Sequence, residues 1–411
     1  MASLTVLVGA RVIDCTGRDP LEGAAIVVEG GVIREVDPSG RVSRPGGALV
    51  LDCRGQTLLP GLTDAHVHVM AVETNILEQH REVPPSLAVL KAGVILRETL
   101  LQGYTTVRDC GGADWGLREA VAQGVVPGPR LLVSGRPISQ TGGHADMRRR
   151  TETGPPLDGC VGMSGRIADG AAEVRRAVRE ELRLGADQIK IMASGGAMSP
   201  ADELETTQYT GEEIRAAVEE ARAVGKYVCA HAYSGAAVQN AVAGGVRSVE
   251  HGNLMDEAAA RALKAADAFL VPTMVTYEIL VRDGAQFGIP EANLRKLRLA
   301  RDRSRESLAL AQRLGLRIAS GSDLLGPLHV YKPMELELKG EVLSPMEVLI
   351  SATRTNAELF GWADRIGTVE PGKYADLLVV RGDPLRDLRL FRGPDNLLLV
   401  MKEGRIVQSR L

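Results

Sequence analysis

Hydrophobic and polar positions alternate in long blocks through the middle of the chain. From about residue 60 to residue 362, short apolar runs of strand type are followed by longer stretches of helical type. This order is typical of repeated βα units on a parallel sheet. The predicted strands are 58–68, 104–109, 130–138, 187–193, 226–231, 246–251, 268–275 and 316–322. Eight such units predict an α/β fold of the (β/α)8 TIM-barrel type.

Helix signals lie between these strands. Thr210, with Glu213 three residues later, forms a capping box, and Gly225 marks the end of the same helix. Further helices are predicted over 234–244, 256–266, 291–314 and 345–361. Long loops are expected at 139–165, 194–209 and 276–290, and these should form the floor of a pocket.

The two ends of the chain differ from the middle. Residues 1–58 and 366–411 contain short alternating strands separated by turn signals, and neither shows helix periodicity. Neither is long enough to form a robust core alone. We therefore expect one small β-sandwich, built from 1–58 plus 366–411 and packed on a catalytic barrel of residues 59–365.

Composition excludes several classes of protein. The chain has 411 residues, of which 45% are hydrophobic and 25% charged, as in ordinary globular proteins. The absence of a long apolar window and of a basic leader argues against a membrane protein and favours a cytoplasmic one. A net charge of −3 with 3% aromatic residues argues against nucleic-acid binding. Five scattered cysteines without a CxxC pair argue against a disulfide framework or a thiolate zinc site.

Residue types that bind metal ions stand at the ends of several predicted strands. The candidate ligands are His66, His68, Lys190, His231, His251 and Asp323. Side chains at i and i+2 share one face of a strand, so the first two histidines can bind the same ion. An isolated His-x-His pair is as often a core pair as a ligand pair. Further ligand types in barrel order favour a metal site, because barrel active sites form where strands end.

Lys190 is the least obvious of these residues. At the end of an apolar strand it would be buried, where an ammonium group is costly. A neutral amine can add carbon dioxide to give a carbamate, whose two oxygens can bridge two cations. The alternative is a lysine paired with a buried carboxylate. Six ligands exceed the four of one tetrahedral site, so we expect two divalent ions, zinc being the metal that imidazole suits.

Asp323 is the candidate catalytic residue. Its carboxylate can contact one ion, and its free oxygen can take a proton from water held there. The predicted reaction is attack of a metal-bridging hydroxide on a polarised carbonyl. Asp323 would then deliver the proton to the leaving nitrogen.

Six segments together resemble the amidohydrolase superfamily: 61–68, 105–109, 230–233, 249–253, 320–323 and 371–377. The nearest branch is the imidazolonepropionase-like group, which includes metal-dependent Xaa-Pro and Xaa-Arg dipeptidases. The resemblance covers nearly the whole chain. It implies a zinc-dependent hydrolase of carbon–nitrogen bonds, a bridging carboxylated Lys190, and a small substrate such as a dipeptide or an N-acyl amino acid.

The resemblance also implies substrate-binding residues, one of which, His144, is expected to be catalytic together with Asp323. His144 should act near the scissile carbonyl or a carboxylate, and Tyr233 should hold the substrate's C-terminal carboxylate. From sequence alone His144 is a loop residue without an assigned role, and Tyr233 could equally be a core residue. His329, just beyond Asp323, is expected to border the pocket, and 148–150 is an arginine run that either contacts the substrate or is solvated.

Other functions remain open. Relatives cleave ochratoxin-type amides and aryl-urea or carbamate compounds. Imidazolone ring opening and deamination use one metal and lack the bridging lysine, so Lys190 argues against them. A non-catalytic assembly protein on the same fold would be expected to lose ligands, whereas all six are present. We also expect a homo-oligomer.

Overall fold

The computed structural model describes residues 4–42, 47–155, 164–199 and 201–411. Its strands are β1 (Leu4–Val12), β2 (Leu21–Glu29), β3 (Val32–Asp37), β4 (Leu49–Asp52), β5 (Gln56–Pro60), β6 (Leu62–Val67), β7 (Tyr104–Asp109), β8 (Arg130–Leu132), β9 (Ile138–Ser139), β10 (Arg166–Ile167), β11 (Ile189–Met192), β12 (Val228–Ser234), β13 (Ser248–Leu254), β14 (Phe269–Val271), β15 (Arg317–Ile318), β16 (Leu377–Arg381), β17 (Leu397–Lys402) and β18 (Arg405–Ser409).

Helices follow most of the central strands. They are α1 (Ile76–Glu82), α2 (Pro85–Leu101), α3 (Trp115–Ala122), α4 (Gly170–Arg183), α5 (Gly211–Ala223), α6 (Gly235–Gly244), α7 (Glu257–Ala265), α8 (Met274–Asp283), α9 (Glu291–Arg313), α10 (Met334–Gly340), α11 (Pro345–Ile350) and α12 (Asn356–Phe360). Short 3-10 helices span Gly284–Phe287, Gly326–Tyr331 and Leu388–Arg392, and a π-helix, Ser351–Thr355, joins α11 to α12. In the described part of the chain, no helix is both long and apolar enough to span a bilayer.

Eight parallel strands form the predicted barrel. Strands β6, β7 and β8 make one sheet, and β11 to β15 run in order through a second sheet whose edge also carries β9 and β10. Hydrogen bonds join the two sheets at both seams. The N–H of Asp187 donates to Val133 O (2.7 Å), and the N–H of Ala65 donates to Ser320 O (2.8 Å). The sheet therefore closes, and the predicted fold class is confirmed.

Several predicted strands are divided or shorter than expected. The segment 58–68 divides at Gly61 between β5 and β6, which belong to different sheets. The segment 130–138 stops at Leu132, and Gly135 beyond it has φ +67°. In 316–322 only residues 317–318 pair as a strand. These strands end early because the backbone turns near the rim of the barrel and changes the direction of the side chains there.

The predicted strand over 268–275 is also wrong, and this error has a larger consequence. Strand β14 ends at Val271, and Thr273 has φ +47°, a left-handed conformation that a strand cannot continue through. Helix α8 starts one residue later, so much of the expected loop 276–290 is helical. The predicted loop 139–165 includes residues 156–163, among them Cys160, which lie outside the described residues.

The predicted helices are otherwise present at the expected places. Helix α5 begins with a capping box in which Thr210 accepts from the Glu213 N–H and the Glu213 side chain accepts from the Thr210 N–H. The segment 345–361 is helical through α11, the π-helix and α12. Polar caps fix where these helices start because they satisfy N–H groups that have no partner in the first turn.

Both chain ends contribute to one eight-stranded sheet, here called the terminal sheet. Its order is β18-β17-β16-β5-β1-β2-β3, and β4 also pairs with β1. The sheet folds back on itself: the Ile33 N–H donates to Lys373 O, and the Gly372 N–H donates to Ile33 O, each at 2.8 Å. One apolar cluster fills the space inside, with side chains from β1, β2, β3, β5, β16 and β17. Strand β5 crosses the expected boundary at residue 58 and belongs to this sheet.

Candidate active site

A cavity of about 600 Å³ opens at the carboxyl ends of the barrel strands. Its wall carries eight of the nine predicted site residues: His66, His68, His144, Lys190, His231, Tyr233, His251 and Asp323. Residues separated by up to 257 positions in sequence meet here because each follows a barrel strand.

His66 and His68 present their Nε2 atoms to each other at 3.2 Å. The Nδ1 of His66 lies 2.8 Å from Glu250 Oε2, and the Nδ1 of His68 lies 2.9 Å from the carbonyl oxygen of Gly111. A carboxylate and a carbonyl only accept, so both Nδ1 atoms carry the proton. In the neutral rings the two Nε2 lone pairs therefore face each other, and a cation near both, either a metal ion or a proton on His68, offsets their repulsion. This donor set fits a divalent metal ion.

Asp323 supplies the negative charge beside this pair. Its Oδ1 lies 3.3 Å from His68 Nε2 and 3.6 Å from His66 Nε2. The residue has φ +52°, and its N–H donates to His66 O at 2.8 Å, which turns the carboxylate into the cavity. Burial opposes ionisation, but the nearby histidines hold the pKa of Asp323 below its usual range. Burial also lowers the pKa of His66, whereas the hydrogen bond and charge of Asp323 raise that of His68 despite burial.

His231 and His251 lie next to this group: their ring centroids are 4.5 Å apart, and the His251 centroid is 5.1 Å from that of His66. The Nε2–H of His231 donates to Gly195 O at 3.1 Å, which leaves Nδ1 as its lone pair. Burial lowers the pKa of His251 to about 3 and that of His231 well below its ordinary value. Neutral imidazoles are the form that binds zinc. His66, His251 and Asp323 also place one ligand atom each within 4.8 Å of one another.

Lys190 lies in β11 between these two groups of ligands. Its side chain is 1% exposed and lines the cavity. Within residues 4–42, 47–155, 164–199 and 201–411, no carboxylate lies within 4.0 Å of its amine. The alternative of a lysine neutralised by a buried carboxylate is therefore not the arrangement found. The amine remains available for carbamate formation at a position between the two ligand groups.

A buried ion pair between Arg108 and Glu250 holds the His66 ring in place. Arg108 Nη2 donates to Glu250 Oε1 at 2.8 Å, and both side chains are fully buried. Ser248 Oγ donates to the same oxygen at 2.5 Å. Carboxylates that accept from a ligand histidine fix its tautomer and ring orientation. Arg108 and Glu250 are part of the sequence motifs, but their role was not apparent without the fold.

A second buried pair fixes the turn that carries Asp323. Lys332 Nζ donates to Asp64 Oδ2 at 2.7 Å, and Ser322 Oγ donates to the same oxygen at 2.6 Å. The Asp64 carboxylate also accepts from the backbone N–H of Ser322 at 3.0 Å. Asp64 thus connects the strand of His66 to the residue next to Asp323. No sequence signal singled out Lys332, because its partner lies 268 positions away.

His144 and Tyr233 lie on the wall beside the second histidine pair. The His144 ring stacks on His231 with centroids 4.2 Å apart, and its Nδ1 lies 2.9 Å from Ser199 Oγ. Burial lowers the pKa of His144 to about 4, against the opposing charge of Asp202. The Tyr233 ring stacks on His251 with centroids 5.0 Å apart.

His329 is not on the cavity wall. It is 5% exposed in the 3-10 helix 326–331, next to His68, and Leu325 takes the wall position in this segment. The expectation that His329 borders the pocket is therefore corrected: the helix turns its ring inward, behind the site. Burial lowers its pKa well below the ordinary value. In the arginine run, Arg148 pairs with Asp146 at 2.6 Å, and neither lines the cavity.

The structure adds wall residues that the sequence did not indicate. Tyr277 OH lies 2.8 Å from Tyr233 OH and 2.9 Å from His251 Nδ1. It was missed because helix α8 was expected to be a loop, although the apolar spacing of 275, 279 and 280 is helical. The remaining wall is largely apolar: Ile76, Met147, Met198, Leu280, Leu297 and Leu325.

Comparisons with known proteins agree with this geometry. The amidohydrolase family profile matches residues 57–407. A crystal structure of an amidohydrolase is 44% identical, with a TM-score of 0.96 and complete coverage of both chains. A prolidase crystallised with N-methylphosphonate-L-proline is 43% identical with a TM-score of 0.96, over 99% of this chain and 100% of that one. Ochratoxinase of Aspergillus niger is 30% identical over 99% of this chain and 87% of its own length.

The chain belongs to the amidohydrolase family. It is a hydrolytic enzyme that acts on carbon–nitrogen bonds, as the sequence predicted. The resemblance to the dipeptidase branch is confirmed as well. The family is typically metal-dependent, and the ligand atoms of His66, His251 and Asp323, all within 4.8 Å of one another, provide a group of residues suited to a metal.

Proposed function

We propose that the enzyme is a binuclear, zinc-dependent hydrolase of amide bonds in dipeptides or N-acyl amino acids. One observation carries the proposal: His66 Nε2 and His68 Nε2 face each other at 3.2 Å beside the Asp323 carboxylate. His66, His68 and Asp323 would hold one ion, and His231 and His251 the other. Carboxylated Lys190 would supply an oxygen to each. Such ions polarise a substrate carbonyl and lower the pKa of water.

Asp323 would move the proton in this reaction. One carboxylate oxygen lies near the histidine pair, and the other, Oδ2, lies 3.9 Å from His251 Nδ1. The carboxylate is 18% exposed, so it can reach a molecule in the cavity. We assign it the removal of a proton from the attacking water and its delivery to the leaving nitrogen. The carboxylate is ionised in the resting state, so it can accept the proton from water and, once protonated, deliver that proton to the leaving nitrogen.

Tyr233, Tyr277 and His144 would orient the substrate. The two phenols share a hydrogen bond at 2.8 Å and lie on the wall next to His251. A phenol donates to a carboxylate, and a charge-assisted bond of this kind is stronger than a neutral one. The apolar side chains across the cavity, such as Leu280 and Leu297, would take a hydrophobic substrate group. The prolidase neighbour, crystallised with a proline phosphonate, supports a substrate of this size.

An aryl amide is the second candidate substrate. The apolar wall includes Met147 and Met198, whose thioethers pack well against aromatic rings. The ochratoxinase relative supports this alternative. Imidazolone hydrolysis and deamination are less well supported, because they do not call for a buried lysine between the two ligand groups. Because the full set of candidate metal ligands is present, nothing supports a non-catalytic assembly role.

A screen for released amine tests the proposed function. Zinc-loaded enzyme would be incubated with dipeptides and N-acyl amino acids, each paired with its C-terminal carboxamide, and with aryl amides that lack a carboxylate. We expect hydrolysis of free-acid substrates with an apolar side chain. Equal hydrolysis of acid and carboxamide, or activity on aryl amides alone, would contradict the dipeptidase assignment.

We also propose a homo-oligomer. Leu87, Leu90 and Val94 lie on one face of α2 and are 42%, 71% and 59% exposed. Apolar residues at i, i+3 and i+7 form one helical stripe, which is costly to leave in water. Light scattering coupled to size-exclusion chromatography should give a mass above 43.8 kDa. A monomeric mass at all concentrations would contradict this proposal.

A further inference from the structure

We infer that Ser199 and Asp202 are positioning residues that fix the ring orientation and the tautomer of His144. The inference rests on the proposed function only for what His144 does with substrate. His144 Nδ1 lies 2.9 Å from Ser199 Oγ, and Ser199 Oγ makes a short hydrogen bond to Asp202 Oδ1. Ser199 is 1% exposed and the Asp202 side chain 6%, so both are held away from bulk solvent.

The chemistry of these groups sets the direction of the hydrogen bonds. The hydrogen bond between Ser199 Oγ and Asp202 Oδ1 requires a proton from one of the two groups. Asp202 accepts from the Gly196 N–H (3.1 Å) and from Gln208 Nε2 (2.7 Å), as an ionised carboxylate does. Ser199 Oγ also lies 3.0 Å from the Gly196 carbonyl oxygen, but that oxygen already accepts from Lys296, so we assign the one proton of Ser199 to Asp202. The Ser199 oxygen is left to accept from His144, so His144 carries its proton on Nδ1.

Gln208 ties the backbone of His144 to the same carboxylate. Its Nε2 donates to Asp202, and its Oε1 accepts from the His144 N–H at 3.0 Å. The side chain and the main chain of His144 are thus both connected to Asp202, each through one intermediate residue. Two separate links restrain the ring more than either alone, because they fix both its position and its rotation.

The loop that carries Ser199 and Asp202 is itself clamped from outside the barrel. Lys296 in α9 is buried, and its Nζ donates to the carbonyl oxygens of Gly196 (2.8 Å), Ser199 (2.9 Å) and Asp202 (3.0 Å). These three bonds use every donor of the ammonium group. Gly196 also has to be glycine, because a Cβ there would overlap the His144 ring. The loop and the ring are therefore built for close contact.

The fixed tautomer determines what His144 can offer in the cavity. With the proton on Nδ1, the lone pair of the neutral ring is at Nε2, which has no hydrogen-bond partner in the parts of the chain that the structure describes. The ring is stacked on His231, so rotation about its own axis is restricted. His144 thus presents Nε2 to a substrate as an acceptor, and as a donor only when the ring is charged.

Nitrogen NMR tests the tautomer directly. The chain contains seven histidines, so [15N]histidine labelling gives few signals, and a His144→Gln variant assigns the one of interest. We expect an Nδ1-protonated His144 in the wild type and a mixture of tautomers in Ser199→Ala and Asp202→Asn. Glu205→Gln is the matched control, since Glu205 is an exposed carboxylate in the same loop. An Nε2-protonated wild type, or variants with the wild-type spectrum, would overturn the inference.

Kinetics provide the second readout. Ser199→Ala should raise KM about threefold to tenfold, the effect of one lost hydrogen bond, with kcat nearly unchanged. Ser199→Thr keeps the hydroxyl and should restore KM, which a general packing defect would not explain. Unchanged KM in Ser199→Ala would overturn the inference. Failure of every amide substrate would instead count against the proposed function, because the NMR result does not depend on turnover.

Discussion

The Nε2 atom of His66 lies 3.2 Å from the Nε2 atom of His68. Glu250 and Gly111 hold the other nitrogen of each ring as a donor. Two lone pairs at this distance inside a protein are unfavourable unless a cation neutralises them. The buried ion pair between Arg108 and Glu250 maintains this arrangement. A metal ion held by both nitrogens would neutralise them, which is the arrangement that we propose.

The first prediction concerns the proton-transfer residue. Asp323→Asn should retain substantial metal but lose at least about a hundredfold in kcat, because an amide can offer an oxygen but cannot shuttle a proton. Kinetics and metal analysis on the same preparation would check both points. Near-normal kcat across the pH range would mean that another residue moves the proton.

The second prediction concerns the two phenols. Tyr233→Phe should weaken the binding of free-acid substrates about tenfold to a hundredfold, because a charge-assisted hydrogen bond is worth roughly 1.5–3 kcal/mol. Tyr277→Phe should have a smaller effect of the same kind, since Tyr277 supports the Tyr233 hydroxyl at 2.8 Å. The corresponding carboxamides serve as the control. A similar loss with acid and carboxamide would show that the phenol does not bind the carboxylate.

The third prediction concerns the pH dependence of stability. Glu335 is buried beneath the site, where its carboxylate accepts from the Val275 N–H at the start of α8. Burial raises the pKa of Glu335 to about 8, so between its unfolded value of 4.5 and 8 the folded state holds a proton that the unfolded state lacks. Stability should therefore fall as the pH rises through this interval, by up to about 1.4 kcal/mol per pH unit.

Glu335→Gln should remove this component. Burial lowers the pKa of the neighbouring Lys339 to about 7, which acts in the opposite direction above that pH. Urea unfolding should therefore be compared between about pH 5 and pH 7. We expect the variant to lose less stability than the wild type over this window. Parallel pH profiles would show that Glu335 is ionised in the folded protein.

Much of the barrel could be predicted from the sequence because its periodicity is local. Each strand and each helix cap is encoded within a few residues, as Thr210 and Glu213 illustrate. Strand ends were predicted poorly, since positive φ at Thr273 and Asp323 depends on contacts made in the fold. Because β14 was predicted to end too late, helix α8 was missed, and with it the position of Tyr277.

The candidate ligands could be recognised because their residue types are uncommon at strand ends. Their supports could not, because Lys332, Ser199 and Asp202 are ordinary polar residues until the fold brings a partner within hydrogen-bond distance. His329 is the opposite case, in which the sequence suggested a role that the fold does not support. Its place in the sequence suggested the pocket, but the 3-10 helix after Leu325 directs the ring into the protein.

The number of metal ions per chain tests the central claim most directly. Metal analysis should be made on wild-type enzyme and on Lys190→Ala, with activity measured on the same samples and short carboxylates added to the variant. We expect two divalent ions, mainly zinc, in the wild type, and in the variant a loss of most activity that added carboxylate partly restores. One ion per chain in the wild type, with full activity in Lys190→Ala, would contradict the binuclear site.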